Sequence, residues 1–347
     1  MKIIVDIMGG DNAPEETVKG AIMATRELDA EYIWVGDRNA IESIAKAENF
    51  DLSGIEIVHA EDVITMEDDP LSITRAKKQS SMAVGLRLLA EGRGDAFVST
   101  GNTGALFTGA TLIVRKIKGL QRAGIGTVLP MKNPVLLLDC GANVTVTDEN
   151  LEQFAVIGSA YMRKMFGIAS PRVGLLNNGT EACKGTELQQ AAYRRLSEAP
   201  DLNFVGNIEG SAIAADRCDV LVADGFTGNI LLKSIEGVGK FMLSKLKGVF
   251  YSSLVTKLAA AVIKKPLYAM KKDLDPNEQG GSPILGISKP VIKAHGSSKA
   301  KAFKNAIRQA IAFSQSGAIE ELTEAAAAYA ARKKAARERV SSQSSAE

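Results

Sequence analysis

The chain has 347 residues, 46% apolar and 24% charged, with a net charge of +2. That is the balance of a water-soluble globular protein, long enough for one elaborate domain or two smaller ones. Aromatics at 5% disfavour a stacking platform for nucleic acid, two histidines disfavour a His-rich metal site, and three cysteines without CxxC spacing disfavour a disulfide framework.

In "MKIIVDIMGGD" an acid arrives at residue 6, too early for the apolar core of a signal peptide. No apolar run approaches the length of a bilayer span, so a cytoplasmic chain is expected. Strand-like runs follow at 2–8, 32–36, 55–60, 95–100, 134–140, 172–178, 203–207 and 219–225. They alternate with helical patterns such as 16–29, 79–91, 104–117, 148–165 and 184–197. Several runs are continuously apolar and β-branched, as in strands covered on both faces. The alternation predicts an α/β fold, a mostly parallel sheet flanked by helices. Past 228 the pattern turns mainly helical, and 301–334 reads as one or two helices. No linker or long repeat divides the chain. Residues 1–335 therefore read as one domain, followed by a frayed tail at 336–347.

Ligands of open parallel sheets bind beyond the carboxyl ends of strands. Those ends carry Gly9-Gly10-Asp11-Asn12, Thr100-Gly101-Asn102-Thr103-Gly104, Cys140-Gly141-Ala142-Asn143, Asn177-Asn178-Gly179-Thr180-Glu181, Gly206-Asn207-Ile208-Glu209-Gly210 and Gly225-Phe226-Thr227-Gly228-Asn229. The second and last share Gly-x-Thr-Gly between a strand and an apolar helix. Such loops are either tight turns or backbone cradles for phosphate or a developing oxyanion. No P-loop is present, nor a Gly-x-Gly-x-x-Gly after the first strand. Lys184 is placed at the start of a helix, where a cation opposes the helix dipole unless an anion binds. Asp6, Asp11, Asp139, Glu181 and Asp224 are either acids and bases or helix caps. Ser99 and Thr100 have no histidine marked as a partner. His59 reads as a surface residue, and His295, before a Gly-Ser turn, as either a site residue or a structural one.

From Lys245 to Lys272 there are seven lysines and no acid. Within this run Phe250, Leu254, Leu258 and Val262 fall near one helical face, with Lys257, Lys264 and Lys265 beside them. The pattern suits a helix lying in a membrane interface, an acidic protein partner, or a core or dimer-interface helix with a basic edge.

Taken in order, "VDIMGGDNAP" (5–14), "KKQSSM" (77–82), "VSTGNTGAL" (98–106), "LLDCGANV" (137–144), "GLLNNGTEACKG" (174–185), "FVGNIEG" (204–210), "DGFTGNILLK" (224–233) and "IKAHGSSKAKAFKNAI" (292–307) resemble the bacterial phosphate acyltransferases of phospholipid synthesis, the PlsX family. The resemblance spans about residues 1–315. Departures include Asn12, Gln79, Thr100, Lys299, Ala182-Cys183 before Lys184, and the segment after Asn143.

The resemblance implies a Rossmann-like fold related to the isocitrate and isopropylmalate dehydrogenases, with a helical projection at 245–275. It implies reversible transfer of an acyl group from acyl-acyl carrier protein to inorganic phosphate, without cofactor or metal. It also implies a homodimer that associates peripherally with anionic membrane. Lys184, Asn229 and His295 become the candidate catalytic residues. Asp11, Ser99, Gly101, Asn102, Thr103, Gly104, Asn143, Asn178, Gly179, Thr180, Thr227 and Gly228 become candidates for substrate binding. The competing readings are a hydroxy-acid dehydrogenase of the same fold and a non-catalytic regulator that binds lipid or carrier protein.

Overall fold

The computed structural model describes residues 1–253, 255–257, 263, 265 and 280–344. The chain begins with β1 (Lys2–Asp6), α1 (Glu15–Glu27), β2 (Glu31–Gly36), α2 (Arg38–Ala47), β3 (Glu56–His59), α3 (Ser81–Ala90), β4 (Ala96–Ser99) and α4 (Thr103–Gly109). It continues through β5 (Gly124–Leu129), β6 (Val135–Leu138), α5 (Asp148–Phe166), β7 (Arg172–Asn177), α6 (Glu187–Ser197), β8 (Asn203–Glu209), β9 (Val220–Val222) and α7 (Gly225–Phe250). Last come β10 (Ser282–Leu285), β11 (Val291–Lys293), α8 (Ala300–Gln315) and α9 (Ala318–Ser344).

Eleven strands make one sheet, in the order β3-β2-β1-β4-β11-β10-β5-β6-β9-β7-β8. Two parallel blocks, β3-β2-β1-β4-β11 and β6-β9-β7-β8, are joined through β10 and β5, which pair antiparallel. Three successive reversals leave the blocks running in opposite directions. The glycine-rich loops therefore do not share one sheet edge. They meet by register instead. Ser99 pairs with Lys293, Lys293 with Ser282, Ile284 with Ile125, and Gly126 with Leu138. Ser99 and Leu138 thus lie nearly level, and both blocks direct their carboxyl ends to a common seam.

Alternation along the strands makes two apolar layers. Ile3, Val5, Val98, Leu136 and Leu138 face one side with Phe154 of α5 and Phe303 of α8. Ile4, Phe97, Leu137 and Leu221 face the other with Leu86 of α3 and Leu106 of α4. The inner strands are covered on both faces, which explains their continuous apolar runs, whereas the edge strands β3 and β8 are partly exposed.

Four local differences have physical causes. β5, β10 and β11 escape the sequence pattern because the first contains two glycines, the second contains Pro283, and the third has only three residues. The helix expected over 104–117 ends as α4 at Gly109 and continues through Ala110–Arg115 as a wider π-helical turn. The helix expected at 184 starts at Glu187, because Thr186 and Gln189 form a capping box there. Residues 336–344, expected as frayed tail, continue α9 to Ser344, as an extension of the helix-favouring Ala-, Arg- and Lys-rich stretch at 325–337.

Candidate active site

The first block supplies a buried wall. Asp6, fully buried at the end of β1, accepts from Ser81 Oγ at 2.7 Å and Ser99 Oγ at 2.6 Å. Burial raises its pKa, against the effect of these hydroxyls and nearby N–H groups. Ser99 Oγ also accepts from Gly101 N at 3.0 Å, and the Thr100 hydroxyl donates to Gly9 O. A Cβ on Gly9 would stand 2.8 Å from Gly101 N, so the loops after β1 and β4 touch backbone to backbone. Asn102 caps α4 by accepting from Ala105 N at 3.0 Å. Its Nδ2 donates to Thr65 O and Met66 O, both at 3.1 Å, and to Asp68 O at 3.3 Å. The Asn102 amide is thereby committed to structure. Thr103 is exposed and Gly104 half-buried at the start of α4. Asp11, also exposed, donates its N–H to Gly296 O at 2.9 Å.

The second block supplies a loop wrapped around one carboxylate. Asp139 Oδ1 accepts from Ile125 N, Gly141 N and Ala142 N, and Oδ2 from Asn143 N and Asn143 Nδ2. Burial raises its pKa, but every neighbour donates and none accepts, so the group is built to be a carboxylate. Asn143 Nδ2 also donates to Ala123 O at 2.7 Å, while its buried Oδ1 has no partner among the described residues. Gly225 N donates to Asn143 O at 2.8 Å, fastening α7 to this loop. Asp224 caps α7, accepting from Thr227 N at 2.8 Å and Thr227 Oγ1 at 2.7 Å. At Gly228 any side chain would meet Asp139 O, only 2.0 Å from an ideal Cβ. Asn229 is exposed beside Gly141.

Leu138, Val222 and Leu175 align across β6, β9 and β7. The loop bearing Lys184 therefore leaves the sheet beside those bearing Asn143 and Asn229. Asn178 and Thr180 are exposed there, Gly179 is buried, and the Lys184 stem packs against Gly179. Lys184 is exposed and makes no ion pair among the described residues. It precedes Thr186, the cap of α6, so the helix-dipole conflict expected from the sequence does not arise.

Two cations missed in the sequence stand at the seam. Lys293, the last residue of β11, is 9% exposed and donates to Thr100 O at 3.2 Å and to Ala294 O. Burial lowers its pKa to about 8, with Asp11 and Asp6 opposing the shift. Lys233 lies one turn after Asn229 on α7, and its charge reaches Cys140, Lys293 and His295. Asn229, Lys233, Glu236 and Lys240 recur at helical spacing, the signal that would have marked this face. His295 Nδ1 accepts from Ser297 N at 3.2 Å, which leaves Nε2 to carry the ring proton. Partial burial, then Lys233 and Lys293, hold its pKa below the usual histidine value. Cys140 is no nucleophile: burial pushes its thiol up to about 12, and Sγ donates to Ile125 O at 2.9 Å.

Of the candidate membrane contacts, Phe250 is half-buried and Lys257 and Lys265 are exposed. Leu254, Leu258, Val262 and Lys264 lie outside the described residues. Among the described residues no helix is long and apolar enough to cross a membrane. None of their His, Cys, Asp and Glu side chains group in threes that could hold a metal ion.

In fold, the chain is similar to a phosphotransacetylase from Streptococcus pyogenes, with a TM-score of 0.63 at 18% identity over 90% of this chain and 94% of that one. It is also similar to 4-hydroxythreonine-4-phosphate dehydrogenase from Klebsiella pneumoniae, with a TM-score of 0.55 at 12% identity over 90% and 99%. In sequence, it is 46% identical to the phosphate acyltransferase of Acetivibrio thermocellus over 93% of this chain and 95% of that protein. With the phosphate acyltransferase of Clostridioides difficile it shares 43% identity over 95% and 97%. A family model described as "Fatty acid synthesis protein" matches residues 1–321. The chain belongs to the phosphate acyltransferase family, enzymes of fatty acid synthesis.

Proposed function

We propose that the enzyme moves a fatty acyl group from acyl-acyl carrier protein to inorganic phosphate, reversibly, giving acyl phosphate for phospholipid synthesis. A phosphate oxygen attacks the thioester carbonyl carbon. The new C–O bond replaces the C–S bond, and the carrier leaves as a thiolate that takes up a proton. Phosphate is already an oxygen nucleophile near neutral pH, so the reaction requires orientation and oxyanion stabilisation rather than an activated side chain. The observation that carries this reading is the seam itself. Loops rich in backbone N–H groups, an exposed Asn229 and the cations Lys233 and Lys293 converge there, while Cys140 is inert and Ser99 is bound to Asp6.

In this reading Lys184 neutralises and aims phosphate, and Asn229 positions it or polarises the carbonyl. Backbone groups of Gly101–Gly104, Asn178–Thr180 and Thr227–Gly228 add donors, and His295 Nε2–H meets the departing sulfur. Lys233 and Lys293 supply the positive field that holds a dianion at the seam. We place the enzyme in the cytoplasm as a homodimer resting on anionic membrane through 245–275. Support comes from Val238, Phe241, Met242 and Val249, all exposed on α7, and from the acid-free lysine run that follows. The deciding assay is thiol release from acyl-acyl carrier protein with and without phosphate. Phosphate-dependent release is the expected result, and release independent of phosphate refutes the reaction. Flotation with anionic vesicles tests the membrane contact, and sedimentation equilibrium tests the dimer.

A further inference from the structure

From Ala96 to Leu138 the chain contains no acid, yet it carries Arg115, Lys116, Lys118, Arg122 and Lys132. The first four crowd into one loop at the end of the π-helical turn. That loop is pinned to the segment between β10 and β11: Ile117 N donates to Gly286 O at 2.9 Å and Ser288 N to Arg115 O at 3.0 Å. The pinning brings Lys289 alongside. Arg115, Lys118 and Arg122 are exposed, and with Lys289 they make no ion pair among the described residues. Leu112, 53% exposed, adds an apolar spot one turn before Arg115. Glu149, which accepts from Gln121 Nε2 at 2.6 Å, is already paired with Lys333. The patch borders the seam, because Arg122 precedes Ala123, whose carbonyl receives Asn143 Nδ2.

We propose that Leu112, Arg115, Lys118, Arg122 and Lys289 form the surface on which the acyl-bearing carrier protein docks. The inference rests on the carrier-dependent reaction proposed above. An unpaired cationic rim around one apolar contact fits an acidic protein face, whose approach it accelerates and orients. Docking beside Asn143 delivers the thioester to the rim of the seam, within reach of Asn229.

The test is the variant Arg115→Glu/Lys118→Glu/Arg122→Glu, with Lys118→Glu alone as the milder form and circular dichroism as the fold check. Thiol release is measured with phosphate from two substrates, acyl-acyl carrier protein and the corresponding acyl-pantetheine, which lacks the protein. Docking at this patch raises KM for the carrier substrate by about tenfold or more in the triple variant and flattens its salt dependence. Turnover of acyl-pantetheine stays at the wild-type level. An unchanged KM for the carrier substrate overturns the proposal. So does a KM increase confined to Lys245→Glu/Lys247→Glu, or a triple variant that loses only anionic vesicle binding. If the wild-type enzyme releases no thiol from the carrier substrate, the parent reaction fails and the docking surface with it.

Discussion

Two turns of this enzyme share the pattern Gly-x-Thr-Gly and serve different ends. At Gly101–Gly104 and the residues just before it the side chains turn inward, apart from the exposed Thr103. Asn102 caps α4 and braces the 65–68 loop, Ser99 is bound to Asp6, and Thr100 to Gly9. At Gly225–Gly228 the cap is Asp224, and Phe226, Thr227, Asn229 and Ile230 are exposed. The first turn is a wall that presents backbone, and the second is an open face that presents side chains. The same four-residue spelling thus specifies the turn, while the neighbours of the turn decide what it offers a ligand.

The largest effects are expected on the open side. Asn229→Ala or Lys184→Ala should lower acyl phosphate formation by about 10²–10³-fold with the melting temperature unchanged. Near-wild-type turnover of either variant would remove that residue from the chemistry. Gly228→Ala places a methyl 2.0 Å from Asp139 O. It should cost about 3 kcal/mol in urea denaturation, the upper end of ordinary overpacking. Gly104→Ala meets Pro70 Cγ at 2.8 Å as its nearest atom, a milder approach than the one at Gly228, and should cost less.

On the closed side, Asn102→Ala should lose about 1–2 kcal/mol of stability while kcat stays within a few-fold of wild type. A hundredfold fall in kcat without a stability loss would break the comparison, since it would make the closed turn a catalytic one. The smallest effect is a pH dependence at Lys293, whose pKa falls from 10.5 to about 8 in the folded chain. Between those values the unfolded chain holds a proton that the folded chain has released. The Lys293 contribution therefore raises stability as pH climbs from about 8 to 10.5, and its penalty is complete below that window. Lys293→Met should flatten this part of the stability profile, measured as urea midpoint against pH.

Much of the scaffold was legible because burial writes itself into composition. Strands such as β1, β4, β6 and β7 are covered on both faces, and their apolar runs follow from that. The loop glycines were legible as backbone devices, and Gly228 against Asp139 O is a concrete instance. Helix boundaries near capping residues were less legible. A side-chain hydroxyl at Thr186, rather than the charge at Lys184, decides where α6 begins. Lys293 escaped notice because a lysine ending a three-residue strand looks like any surface lysine. Only its burial against Thr100 O gives it meaning.

The sequence by itself determined the alternating α/β order, the glycine-rich strand ends and the family, since these depend on local periodicity and on ordered motifs. Tertiary structure alone decided that the sheet consists of two opposed parallel blocks. It alone decided that their carboxyl ends meet at a seam, and that Lys233 and Lys293 face it together. Strand direction and register are set by long-range hydrogen bonds between β5, β10 and their neighbours. No local pattern encodes a pairing across so many residues, so the placement of charge at the seam became visible only when the sheet closed around it.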